Sequence, residues 1–114
     1  MRTAALLGPF ELAFDTIERE LPPAVCGVFA LGYVDPSGTF RVQRVGRGDD
    51  LRNGLRQLIG SSTRFKFAKS VSPQAAFERE CELFHRFRPP GNIIHPDRPK
   101  GTDWLCPVCA RFHP

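Results

Sequence analysis

The stretch VCGVFALGYVDPSGTFRVQRV, residues 25–45, decides the fold. Residues Val25 to Tyr33 form a short, nearly continuous apolar run, which suits a buried strand. Asp35-Pro36-Ser37-Gly38 combines the residues that set up and close a tight turn. Thr39 to Val45 is rich in β-formers and is predicted to pair back as a hairpin.

Working outward from this hairpin, the N-terminal side carries Phe10, Phe14, Ile17 and Leu21 at helical spacing. This predicts an amphipathic helix over Pro9 to Leu21, stopped by Pro22-Pro23. On the other side, Gly48-Asp49-Asp50 offers a cap, and Leu51, Leu55, Leu58 and Ile59 form one helical stripe ended by Gly60. Phe65 and Phe67 alternate with Lys66 and Ala68, as in a strand. Ser72-Pro73 opens a further helix that reaches about Phe87. After Pro89-Pro90-Gly91 the chain has no long periodic segment. The expected fold is α+β, a small three-stranded antiparallel sheet flanked by helices. Residues 1–23 form a lead-in, 24–92 the body and 93–114 a tail.

A chain of 114 residues makes one domain with a modest core, and ten Phe supply it. The longest apolar run, Val25 to Leu31, falls far short of the roughly 20 residues needed to cross a bilayer. Residues Ala4 to Phe10 are too short and proline-broken for a secretory signal. A reducing cytoplasm is therefore expected, where four cysteines serve as metal ligands or core thiols rather than disulfides. The net charge of +4 is uneven. Residues 41–88 hold eleven Arg or Lys against five Asp or Glu, a net of +6, while residues 1–40 hold two against five, a net of −3. A basic middle suits DNA or RNA, and it equally suits a solvated, Arg-rich surface.

Cys106-Pro107-Val108-Cys109 has the two-residue spacing that turns both thiolates toward one metal. Cys81 and His85 stand four apart on the preceding helix and share a face. Zinc held by Cys81, His85, Cys106 and Cys109 is the expected set, with His95 in the connecting loop as the alternative ligand. The tail has few core-forming side chains beyond Ile93, Ile94, Trp104, Leu105 and Phe112, so a metal would supply its folding energy. The competing readings are a thiol redox motif and a surface pair without a role. The redox motif calls for a helix after its first cysteine, and only five residues follow Cys109. Cys26 lies in an apolar run and reads as a core residue.

The same helix carries a carboxylate in an unusual place. At 100° per residue, Ala76, Phe77, Leu83, Phe84 and Phe87 share an arc, and Glu80 falls in its middle. A carboxylate on a core-facing stripe is costly unless it meets a cation or a metal. Pairing with an Arg from a neighbouring element and a role in a site both fit.

These residues, taken in order, resemble the GIY-YIG endonuclease superfamily over about residues 24–92. Gly27-Val28-Phe29 resembles its first signature, and Arg44-Val45-Gly46 its second. Leu51 and Leu55 resemble apolar positions of the helix that follows. The segment from Ala76 through Glu80, Leu83, Phe84 and Pro89 to Asn92 resembles the family's metal-binding helix and the turn after it. The cysteine tail lies outside the resemblance and looks like an addition. The resemblance implies a GIY-YIG-like sheet, to which the zinc-stapled C-terminal loop would be added. It also implies a divalent ion on Glu80, Mg²⁺ or Mn²⁺, assisting phosphodiester hydrolysis, with a cation offsetting charge in the transition state. Arg47 and Arg44 are then the cations nearest the second signature. Arg52, Arg56, Arg64, Lys66 and Asn92 are the expected nucleic-acid contacts.

The sequence departs from that pattern at three positions. Phe29 stands where the family's first tyrosine is expected, Arg44 at the second tyrosine, and Gly54 at the helix arginine. Tyr33 shares a strand face with Phe29 but lies roughly 13 Å along it. Loss of a general base alone typically costs about two to four powers of ten in rate. Two functions are therefore expected to compete, a divergent metal-dependent DNA hydrolase and a catalytically silent, zinc-stapled module that binds nucleic acid or a protein. A thiol oxidoreductase is the distant third.

Overall fold

A computed structural model describes residues 5–113; residues 1–4 of the lead-in and Pro114 of the tail lie outside it. The elements are β1 (Leu7–Glu11), α1 (Phe14–Glu20), β2 (Gly27–Val34), β3 (Phe40–Gly48), α2 (Leu51–Gln57), β4 (Arg64–Lys69) and α3 (Pro73–Phe87). All strand pairs are antiparallel, in the order β1-β4-β2-β3.

The hairpin forms as its residues dictate. Asp35 Oδ1 accepts from the Ser37 and Thr39 backbone N–H groups, and Oδ2 accepts from Arg41 Nε at 2.7 Å. The Ser37 hydroxyl, which donates to Oδ1 at 2.6 Å, and then these donors hold the Asp35 carboxyl well below the usual range. Strand β2 then lies at the centre of the molecule, and its alternation serves two cores. Phe29 and Leu31 join Ile17, Leu21, Leu51, Leu55, Phe65 and Phe67 beneath α1 and α2. Val28 and Ala30 join Val45, Ala68, Ala76 and Leu83 beneath α3. Burial on both faces explains why the run Val25 to Tyr33 shows so little polar alternation.

Two features differ from the expectation. The sheet has four strands, because Leu7–Glu11 pairs with the free edge of β4. The first helix accordingly starts at Phe14 rather than Pro9. Phe10 reaches Phe65 and Phe67 from the strand, with ring centroids 5.6 and 6.0 Å away. Apolar spacing alone cannot separate that arrangement from a helical one, and the open edge of β4 settles the matter by offering a ladder of unpaired backbone groups.

Helix α3 opens as its sequence predicts, with the Ser72 side chain accepting from Ala75 N and Pro73 in the first turn. At its other end Arg88 adopts the left-handed region (φ 44°) and turns the chain back along β3. There Gly91 N donates to Gln43 O at 2.7 Å. A Cβ on Gly91 would lie 2.6 Å from that oxygen, so the approach needs glycine. Asn92 continues the contact. Its Oδ1 accepts from Val45 N at 2.7 Å and its Nδ2 donates to Val45 O at 3.0 Å. The segment thereby closes the exposed edge of β3 and delivers the tail to the side of α3.

Candidate functional site

The tail folds around four side chains. The ligand atoms of His85, His95, Cys106 and Cys109 all lie within 4.8 Å of one another. Nε2 of His85 is 3.1 Å from Nε2 of His95, Cys106 Sγ is 3.5 Å from His85 Nε2, and Cys109 Sγ is 3.4 Å from His95 Nε2. A tetrahedral zinc with ordinary bond lengths would put its nitrogens about 3.3 Å apart and its nitrogen–sulfur pairs about 3.6 Å apart. The spacing therefore fits a four-coordinate ion of zinc's size.

The surroundings favour ligand forms of these groups. His95 Nδ1 lies 2.7 Å from Pro96 O, a carbonyl that can only accept, so this nitrogen holds the proton and Nε2 is left to bind. The Val108 and Cys109 N–H groups both donate to Cys106 Sγ at 3.4 Å. Burial alone would push the Cys106 thiol up, but these donors outweigh it and hold it below its usual range. Burial, with His95 and Arg88 nearby, pushes the His85 imidazole below its ordinary range.

The structure corrects one member of the expected ligand set. His95 occupies the fourth place, and Cys81 does not belong to the four-atom group. Cys81 is fully buried with Phe77 and Cys106, against Trp104 and Phe112. Its thiol hydrogen-bonds Cys106, and burial followed by the charge on Cys106 pushes it far up. It thus stays a thiol that supports Cys106. Helical spacing correctly puts Cys81 and His85 on one side of α3. It says nothing of the loop that carries His95 over His85, and that loop decides the choice.

Beside the cluster is a pocket of about 360 Å³, walled by Phe29, Arg44, Gly46, Arg47, Glu80, Asn92, Ile94 and Pro96 among others. Glu80 is 8% exposed. Arg47 Nη1 donates to Glu80 Oε1 at 2.5 Å, and Nη2 donates to Asp97 O at 2.8 Å. The same guanidinium lies 5.2 Å from the centroid of the Phe77 ring. Burial pushes the Glu80 carboxyl up, and Arg47 opposes that shift. Phe29 closes the floor, with its ring so near Gly46 that a Cβ there would lie 2.4 Å from it. Arg44 is exposed at the rim.

Of the remaining sequence-predicted contacts, Asn92 alone lines this pocket. Arg52 donates to Leu21 O and Glu18 O and pairs with Glu18, tying α2 to α1. Arg56 also pairs with Glu18 and stacks on Phe14. Lys66 Nζ lies 5.2 Å over the Phe40 ring, and Arg64 is half-buried on the same strand. Asn92 lines the pocket, but its amide is engaged by Val45. Arg52, Arg56, Lys66 and Asn92 thus have partners within the fold. Ile93 and Ile94, expected as core-forming side chains, are instead exposed, and only the folded loop brings Ile94, Pro96 and the Asp97 carbonyl to the Arg47 side of the pocket. No helix among the described residues is long and apolar enough to cross a membrane.

Comparison with models of known families, with curated proteins and with solved structures finds no match.

Proposed function

We propose that this protein is a zinc-stapled, GIY-YIG-like module that binds nucleic acid through the Arg44–Glu80 face and does not cleave it. The observation that carries this reading is the Arg47–Glu80 pair. The carboxylate expected to hold Mg²⁺ or Mn²⁺ already has a guanidinium on it, and that guanidinium is itself anchored to the Asp97 carbonyl. No Tyr, Ser, Thr or His is among the pocket-lining residues, so no neutral hydroxyl or imidazole is at hand to activate water. Phe29 fills the place where the family carries a tyrosine. The order of hairpin, helix, strand and helix supports the family likeness, and the Cys₂His₂ set supports zinc as the metal. Zinc in that closed set would be structural, and no step of chemistry passes through it. Four free cysteines suit a reducing cytoplasm.

The second reading, a metal-dependent DNA hydrolase, is favoured by one fact. Glu80 is a buried carboxylate that opens on a cavity beside two arginines. One experiment separates the two. Zinc-loaded protein is assayed for duplex and single-strand DNA binding at ~50 mM salt, where phosphate contacts are strongest, and for plasmid nicking with Mn²⁺. The binding module retains DNA in a salt-dependent way and yields the same background nicking as Glu80→Ala. Nicking by the wild type that Glu80→Ala abolishes would establish the hydrolase. Absence of any DNA or RNA binding would sink both and leave a protein partner.

A further inference from the structure

Ile94 and Pro96 form an apolar lip on the pocket, with Ile93 beside it, and the geometry points to its ligand as an unstacked nucleotide, such as single-stranded nucleic acid presents. This rests on the nucleic-acid reading above and narrows it to one form of the polymer. Ile93 is 93% and Ile94 74% exposed, the two standing side by side in the chain. They are not on a slack segment. Immediately before them, the Asn92 amide clamps both backbone groups of Val45. Immediately after them, His95 enters the metal cluster and bonds Pro96. A loop fixed at both ends has no slack to turn these side chains inward, so it holds apolar surface in water. Isolated exposed apolar residues need no explanation, but a held pair of which one, Ile94, lines a cavity marks an interaction site.

The chemistry around the lip selects the occupant. Phe29, Ile94 and Pro96 give the pocket apolar walls. Arg47 Nη1 and Nη2 are each bonded once, to Glu80 and to the Asp97 carbonyl, so their second N–H groups, Glu80 Oε2 and the Asp49 carboxylate are what a ligand meets. An unpaired base offers just this combination, an apolar face together with an edge of donors and acceptors. In a continuous duplex the faces are stacked and the edges paired, so neither reaches a concave site. Arg44 is exposed and lines both this pocket and a second hollow of about 470 Å³ that includes Gln43, Ser62 and Gly91. One guanidinium standing between two hollows fits a phosphate between successive nucleotides, with the lip against a base face. Apolar wedges of Ile or Leu beside basic residues are a general means of engaging unstacked bases.

The test is fluorescence anisotropy of the zinc-loaded full chain, using a labelled single-stranded DNA and a duplex of the same length. Wild type is compared with the double variant Ile93→Ser, Ile94→Ser and with Arg44→Gln. Wild type binds the single strand more tightly than the duplex. The double variant loses about tenfold on the single strand, keeps duplex affinity, and melts with wild type because both side chains are exposed. Arg44→Gln lowers the salt slope by about one. Equal losses on both DNA forms, or none on either, overturn the lip while leaving nucleic-acid binding intact. If wild type binds neither form, the underlying reading falls and the lip with it.

Discussion

The body and the tail of this small protein are held together by different physics. In the body, β2 feeds two apolar clusters, one on each face of the sheet. In the tail, only Pro96 and Cys106 are fully buried between residues 93 and 113. What converges there is two imidazoles and two thiols. The body can lose one contact and keep the rest, because dispersion and burial are spread over many side chains. The tail instead depends on a cluster of four groups that could hold one metal ion. The pocket lies on the seam. Its floor and rear are sheet and helix, while its rim, Ile94 and Pro96, flanks the ligand His95.

Metal removal should give the largest effect. Structural zinc is worth about 10–16 kcal/mol in small metal-folded peptides near neutral pH. Chelation is expected to free Trp104 from Phe77, 5.9 Å away between ring centroids, and to shift its emission to the red. Far-UV circular dichroism should change little, since the sheet and helices have their own cores. A collapse of the dichroism on chelation would erase the distinction between the two regions. Phe65→Ala attacks the other side. Phe65 is fully buried between Phe10 and Phe67, and the substitution should cost about 3–5 kcal/mol in urea unfolding monitored at the body.

Cysteine substitutions sharpen the comparison. Cys106→Ser should abolish stoichiometric metal, whereas Cys81→Ala should keep one ion per chain and cost about 1–2 kcal/mol as a small cavity. Equal metal loss from both, measured by elemental analysis, would return Cys81 to the ligand set. Asn92→Ala tests the seam itself. It removes two hydrogen bonds to Val45 and should cost about 1–3 kcal/mol, read as faster amide exchange in β3.

The hairpin, the caps of α2 and α3 and the burial of Glu80 were legible in the chain. Turn chemistry, capping oxygens and helical period act over a few residues, and no distant partner is needed to read them. The first strand was not, because Phe10 serves the same cluster from a strand or a helix.

Sequence by itself determined which kinds of group this protein can bring to a site: thiols with two residues between them, an imidazole on a helix, a carboxylate among phenylalanines. Tertiary structure decided which of them meet. His95 displaced Cys81 because a loop pinned by Asn92 crosses α3, and Glu80 found Arg47 because β3 runs beside that helix. Residue type fixes what a group can bond; the path of the chain between anchors fixes the distance, and both bonds fall off steeply with it.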